Sequence, residues 1–360
     1  MGELARPAGR RPDKQNEILD QLRRQIVDGD LPPGARLPLR SELQQHFVAS
    51  TATVQSALNR LIDDGFVEAR GRQGTFVAQA PPHLACYGLA FPHPPGAGQM
   101  QSRMWTGILN EVAALDLGPQ RRFRTYHGVS GHVDSEADQR LFADVAQHRL
   151  AGVIYILLEP EQLASCFLLG GRGPSVLVNT HGGGTADLPR IEPDMRAFMD
   201  MALDRLKALG RSRVGLLTVS GTRLDHIAHL YKRAAKRGLR VEQRWVQCVA
   251  WPEVQWANNA VQAILSGPKR QRPDGLILLD DNATDHAIAG IHAAGVRVPR
   301  DVEVIAHCNF PAPRATVPLH QLGFDLRHIL AAAVQCIDQQ RCGEPVAAVQ
   351  SIAPEFRETI

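Results

Sequence analysis

Two adjacent prolines, Pro81 and Pro82, lie within QAPPHL (residues 79–84) and interrupt the pattern on either side of them. Before this point apolar residues recur at helical spacing; after it they come as short, continuous runs. The expected organisation is one domain over residues 1–78, an interdomain linker over 79–84 and a larger domain over 85–360. The chain has 360 residues and is 44% hydrophobic, long and apolar enough for more than one packed core and unlike a disordered chain.

On the N-terminal side, Ile18, Leu22 and Ile26 define a first amphipathic helix, closed by Gly29 and the run LPPG. Leu43 and Phe47 mark a second, shorter one. A third begins near Ser50 and carries Val54, Ala57, Leu58, Leu61 and Ile62 before stopping at Gly65. FVEARGRQGTFVA then reads as two strands, Phe66–Ala69 and Thr75–Ala78, around a glycine-containing turn. Three helices followed by a hairpin is the plan of a winged helix-turn-helix, whose third helix enters the DNA major groove.

Charge placement agrees with that plan. Lys and Arg number 40 against 37 Asp and Glu, a formal +3, so a contact face for double-stranded DNA has to come from local charge. From Leu31 to Arg60 the acid is Glu42, against Arg36, Arg40 and Arg60, with Arg70 and Arg72 in the hairpin. Ser50, Thr51 and Thr53 open the third helix, where hydroxyls and free N–H groups meet phosphates; Gln55 is placed to read a base edge. Gln73 and Gly74 complete the hairpin tip with Arg70 and Arg72.

Beyond the linker, the runs YGLAF, FRTYH, GVIYILL, SVLVN, VGLLTV, WVQCV, GLILLD and EVIAH alternate with helical segments. Parallel βαβ units are the economical reading, and this many strands suit two sheets better than one. The expected fold class is therefore α/β: a winged helix-turn-helix followed by a two-lobed domain with parallel sheets, whose ligands sit at strand C-terminal ends.

The motif LPPGARLP, then SELQQHF and STATVQSALNRLIDDGFVEARGRQGTFVA, resembles the GntR-family winged-helix signature over roughly residues 14–78. That resemblance implies DNA binding. Relatives carry arginines where this chain has Ser41, Thr51 and Gln55, with Arg40 one place earlier as a substitute, so the family's usual operator preference is not expected here. Residues from about 85 to 356 resemble the effector domain of LacI-type regulators and type I periplasmic sugar-binding proteins, most clearly through GLILLDDNATDHAIAGIHAAGVRVPRDVEVIAHCNFP. The resemblance implies that Asp281 hydrogen-bonds ligand hydroxyls. Cys308 and Asn309 stand where relatives end the next strand with two aspartates, and Arg223 or His226 stands where relatives place a ligand-clamping arginine. It further implies a small-molecule effector, with a carbohydrate or similar polyol as the prior, and a repressor. One recognition helix reads too few base pairs for genomic specificity, so a homodimer is expected.

Other signals point elsewhere less well. HGGG at residues 181–184 has no accompanying G-x-S-x-G, so esterase chemistry is not expected. His226 and His229 share a helical face without a third ligand, the six cysteines form no C-x-x-C, and neither metal nor cofactor is expected. Trp105, Trp245, Trp251 and Trp256 read as core or pocket-rim residues. There is no apolar run of membrane length and no signal-peptide core, so the expected location is the cytoplasm. Two alternatives stay open: a GntR-like head fused to a pyridoxal-phosphate aminotransferase, for which Lys14, Lys207, Lys232, Lys236 and Lys269 are the lysines available, and a ligand-independent dimeric DNA-binding protein.

Overall fold

The computed structural model describes residues 14–93, 102–114, 121–132, 134–168, 173–179, 188–251 and 253–357. The HGGG motif lies outside them. The N-terminal unit comprises α1 (Lys14–Val27), α2 (Arg40–Phe47), α3 (Thr51–Asp63) and the antiparallel pair β1 (Val67–Ala69) and β2 (Thr75–Val77). Ile18, Leu22 and Ile26 of α1 meet Val54, Leu58 and Leu61 of α3 in one buried cluster, the partners their periodicity calls for. The hairpin tip turns through a short 3-10 segment, Gly71–Gln73, with Gly71 at φ 56° and Gly74 at φ 112°.

The segment expected as a linker folds into a helical turn, α4 (Pro82–Ala85), with Pro81 and Pro82 buried. Proline lacks the N–H that the first helical residue leaves unpaired, so the residues that break one pattern also start this element. His83 of α4 stacks on Phe66 of the N-terminal unit, centroids 5.9 Å apart.

The first lobe is built from β3 (Cys86–Phe91), α5 (Arg103–Ala114), β4 (Arg122–His127), α6 (Glu136–Ala146), β5 (Gly152–Ile156), α7 (Pro160–Leu168), β6 (Ser175–Val178) and β7 (Arg190–Pro193). The second holds α8 (Met195–Ala208), β8 (Val214–Val219), α9 (Leu224–Lys236), β9 (Val246–Val249), α10 (Ala257–Leu265), β10 (Gly275–Leu278), α11 (Thr284–Ala293), β11 (Glu303–Phe310) and β12 (His320–Asp325). The chain then returns through α12 (Leu326–Arg341) and β13 (Val349–Ile352) to the first lobe and ends with β14 (Glu355–Phe356) on the second. Strand orders are β13-β7-β6-β5-β3-β4 and β14-β12-β11-β10-β8-β9, parallel throughout except for β12 against β14.

The expected runs fall evenly, β3 to β6 in one sheet and β8 to β11 in the other. Strand β3 shows why they are continuous: Tyr87, Leu89 and Phe91 enter one core, while Cys86 and Ala90 enter another on the opposite face. Strands β7, β12, β13 and β14 and helices α7 and α12 were not anticipated. Among the described residues, no helix is long and apolar enough to cross a membrane.

Two histidines make this fold acid-sensitive. Burial lowers His83 to about 4, and burial lowers His307 to about 4 against the pull of Asp280. His307 packs beside Phe198 and Phe324, at 5.8 Å and 5.7 Å. Both stay neutral in the fold but protonate near 6.5 when unfolded, so their contribution is complete above 6.5 and is lost as pH falls towards 4. After discounting for solvent screening, each costs about 1–2 kcal/mol across that window. In denaturant melts from pH 7.5 to 4.5, His83→Gln is expected to gain stability relative to wild type as pH falls; a difference that does not change with pH would contradict this.

Candidate functional site

The N-terminal half of α3 is an exposed polar surface. Ser50 caps the helix, its Oγ accepting from the Thr53 N–H at 3.2 Å and lying 2.9 Å from the Thr53 hydroxyl. Thr51 is exposed beside it and Thr53 half-buried. Gln55 donates from Nε2 to Asn59 Oδ1 at 2.7 Å, one turn on, so reaching a base means exchanging that bond. Asn59 was missed in the sequence, although i,i+4 spacing from Gln55 puts it on the same face.

Arg40 and Ser41, both exposed, open α2, where Glu42 is occupied in accepting from the Leu39 N–H at 2.7 Å. In the hairpin, Arg70 is held by Glu68 and lies 4.6 Å over the Phe76 ring, whereas Arg72 and Gln73 are exposed at the tip and Gly74 lies against the Arg36 guanidinium. Arg40 and Arg72 have no acidic partner among the described residues. Arg40, Arg72 and the start of α3 thus each present exposed cationic or N–H groups of the kind that pair with phosphates. Val48, in the turn before α3, is exposed and left-handed at φ 48°, a conformation that β-branched residues rarely adopt.

The second candidate surface lies at the strand ends between the lobes. Asp280 Oδ1 accepts from the Asn282 N–H at 2.8 Å and so shapes the turn after β10. Asp281 is buried and accepts from Asn309 Nδ2 at 2.8 Å, which joins the ends of β10 and β11. Burial raises the Asp281 carboxyl, with the Asn309 bond opposing the shift, and burial with Asp281 raises Asp280. Cys308 is pushed up to about 11 by burial and then by Asp281, which keeps it a neutral thiol. The sequence-derived residues Asp281, Cys308 and Asn309 are thus neighbours. Arg223 is engaged elsewhere: it pairs with Asp225 at 2.8 Å, and Asp225 is shared with Arg196 at 2.7 Å. Half-buried His226 follows on the same helix, its pKa lowered by burial against Asp225.

The first lobe supplies an aromatic corner that was not assembled from the sequence. Phe91 and His127, at the register-matched ends of β3 and β4, stack at 5.1 Å; Trp105 of α5 lies 6.3 Å from Phe91 and 5.6 Å from His93. Just before Trp105, the Arg103 N–H donates to Asn282 Oδ1 at 2.8 Å and its guanidinium pairs with Asp285, so this corner meets the β10–α11 turn across the lobes. Trp251, following β9, donates its backbone N–H to Ser220 Oγ at 2.8 Å after β8 and adds an exposed ring at the same strand ends.

Asp281→Asn tests this corner. The substitution keeps an oxygen for Asn309 but removes a carboxylate that burial disfavours. It is expected to stabilise the protein at pH 7 by about 1–2 kcal/mol. Because a raised carboxyl pKa costs stability at high pH and not at low pH, the gain shrinks on acidification, and paired melts at pH 7 and 5 will show it. A variant less stable than wild type at pH 7 would contradict the account.

Residues 14–77 match the family of bacterial regulatory proteins, gntR family, and residues 203–359 match a periplasmic binding protein-like domain. The chain therefore joins a GntR-type helix-turn-helix head to a periplasmic-binding-like domain, and its structural neighbours are LacI-family regulators. Among relatives, it is 40% identical over 63 residues to the mannosyl-D-glycerate transport/metabolism system repressor MngR of Escherichia coli, covering 18% of this chain and 26% of that protein. It is 41% identical over 69 residues to the HTH-type transcriptional regulator Rv1152 of Mycobacterium tuberculosis, covering 18% of this chain and 57% of that protein. The likeness thus spans less than two-thirds of either relative. A LacI family transcriptional regulator from Lactobacillus casei, solved with bound glucose, aligns at TM-score 0.55 and 18% identity over 76% of this chain and 98% of that one, a likeness of fold.

Proposed function

We propose that this protein is a sequence-specific transcriptional regulator, acting as a homodimeric repressor on double-stranded DNA, whose operator affinity is set by a small molecule bound between its two α/β lobes. In this reading residues 1–78 form the DNA-binding head, 79–84 the connection and 85–360 the effector-binding and dimerisation domain. The carrying observation is one chain that presents an exposed helix-turn-helix face and, separately, a buried Asp281–Asn309 pair at the strand ends of a two-lobed domain.

Arg40, Ser41, Ser50, Thr51, Thr53, Gln55, Arg70, Arg72, Gln73 and Gly74 form the proposed DNA surface, with Arg70 the weakest contributor because Glu68 holds it. Asp281, Asn309 and Cys308 form the core of the proposed effector site, with Arg223 and His226 at greater remove. The L. casei regulator's bound glucose supports a carbohydrate-like ligand, and the half-buried rings of Trp105 and His127 in the aromatic corner offer surface against which a sugar's C–H groups pack. Closure of the lobes would alter the relation between paired heads.

The aminotransferase alternative needs a buried lysine for its internal aldimine, and all five lysines are exposed. No catalytic role is proposed. The test is a panel of neutral sugars and polyols scored twice on full-length protein, for thermal stabilisation and for change in DNA affinity. A ligand that does both, and does neither with Asp281→Leu, supports the reading. Stabilisation with unchanged DNA affinity for every hit would sink it, and a panel in which no compound stabilises the protein would favour the ligand-independent alternative.

A further inference from the structure

The recognition helix is anchored to the first lobe through its own C-terminal cap. Asp64, which caps α3, carries an 8% exposed carboxylate held from both sides. Arg23 of α1 donates to Oδ2 at 2.8 Å, and Arg149, in the loop between α6 and β5, reaches Oδ1 at 2.9 Å. The Arg23 and Arg149 side chains are only 5% and 12% exposed. Arg149 also pairs with Asp144 at 3.1 Å; Asp144 in turn takes Arg124 at 2.8 Å and the Tyr126 hydroxyl at 2.5 Å, both on β4. An unbroken chain of charge-assisted bonds therefore runs from α3 to the strand whose next residue is His127 of the aromatic corner.

Beside the clamp a groove of about 850 Å³ opens between the head and the first lobe, bordered by Asp20, Arg24, Arg60, Gln147 and His148. His83 stacks on Phe66, and Pro82 and the Arg122 guanidinium lie against Gly65. Geometry then fixes the lever: α3 has 13 residues, about 20 Å from clamp to DNA-facing end. A rocking of about 10° at the clamp moves that end by about 3.5 Å, close to the axial rise of about 3.4 Å per base pair.

We propose that Asp64 is the positioning residue of the recognition helix and that its bond to Arg149 docks the head rigidly on the first lobe, so that lobe movement is transmitted as helix orientation. This rests on the regulator reading for its consequence in DNA binding, but the docking itself is separable. The DNA face, at the other end of α3, stays free in the docked head.

Arg149→Met removes the link while leaving Asp64 with Arg23 and Asp144 with Arg124, so each part keeps its own pair. Calorimetry of full-length wild type is expected to show the head melting together with the first lobe, and Arg149→Met to show it in a separate, lower transition. The second arm uses the operator recovered by wild type in a series with half-site spacing altered by one or two base pairs. Wild type is expected to discriminate at least about tenfold per step, and Arg149→Met less than about threefold, with half-site affinity within about twofold of wild type. Arg149→Lys should restore part of the discrimination. A single unchanged transition in Arg149→Met would overturn the docking, and unchanged spacing discrimination would overturn the positioning role. If wild type recovers no operator, the regulator reading fails, and the calorimetric arm still decides the docking.

Discussion

Replacing Arg40 and Arg72 together by glutamate will lower the affinity of the full-length protein for its DNA by at least about 100-fold at physiological salt and leave its fold intact. Both side chains are exposed, lack an acidic partner among the described residues and lie outside the head's core, so neither substitution breaks an internal contact. Each phosphate contact that neutralises one charge contributes about 0.9 to the slope of log affinity against log salt, so losing both should flatten it by about 1.8. The reversed charges add repulsion to that loss. Anisotropy titrations across a salt series give both numbers, with a melting curve as the control for folding. An unchanged slope would place the DNA surface elsewhere. Arg70→Glu should do less to the slope, because Glu68 and the Phe76 ring already hold that guanidinium.

Gly323→Ala is the single substitution expected to damage the protein most. Gly323 lies in β12 opposite Cys308 of β11, and a Cβ there would sit 1.7 Å from the Cys308 carbonyl oxygen, backbone that no side-chain rotation can move. The strands would have to separate, at a cost of at least about 3 kcal/mol. Asn309, next along β11, would shift away from Asp281, so ligand response should fail even in molecules that remain folded. Gly267→Ala, where a Cβ meets nothing within 4 Å, should stay close to wild type. Denaturant midpoints for the two variants provide the check; equal stability would mean that the β11–β12 contact is not as close as the fold requires.

Gly323 also shows which parts of the fold could be read from residues. The central strands β3, β5, β6, β8 and β10 are covered on both faces, so their sequences are unbroken apolar runs. Strand β12 carries His320, Gln321 and Gly323, and its signal is diluted by the glycine that close strand approach demands. At the edges, β13 and β14 bury little, and so have no apolar signature. Helix α12 could have been found: Asp325 caps it, accepting from the Arg327 N–H at 2.8 Å, and Ile329, Leu330, Ala333, Val334 and Ile337 repeat at helical spacing.

The candidate sites divide in the same way. Ser50 as a helix cap follows from local chemistry, and the adjacency of Asp281 and Asn309 follows from strand-end topology. The corner of Phe91, Trp105 and His127 exists only because the sheet sets β3 beside β4 and α5 crosses their ends. Asp64 and Arg149 are 85 residues apart; no periodicity or motif joins them, and only the docked fold shows that an aspartate at a helix end is a junction rather than a solvated charge.

The central claim, that the head reads DNA sequence for a two-lobed sensor, is tested most directly by selecting double-stranded DNA from a random pool with the full-length protein near physiological salt, with Arg40→Glu/Arg72→Glu as the control. A motif of two related half-sites about one helical turn apart, recovered by wild type and not by the double variant, is the predicted result. Recovery of the same sequences by both proteins, or of none by wild type, would contradict it.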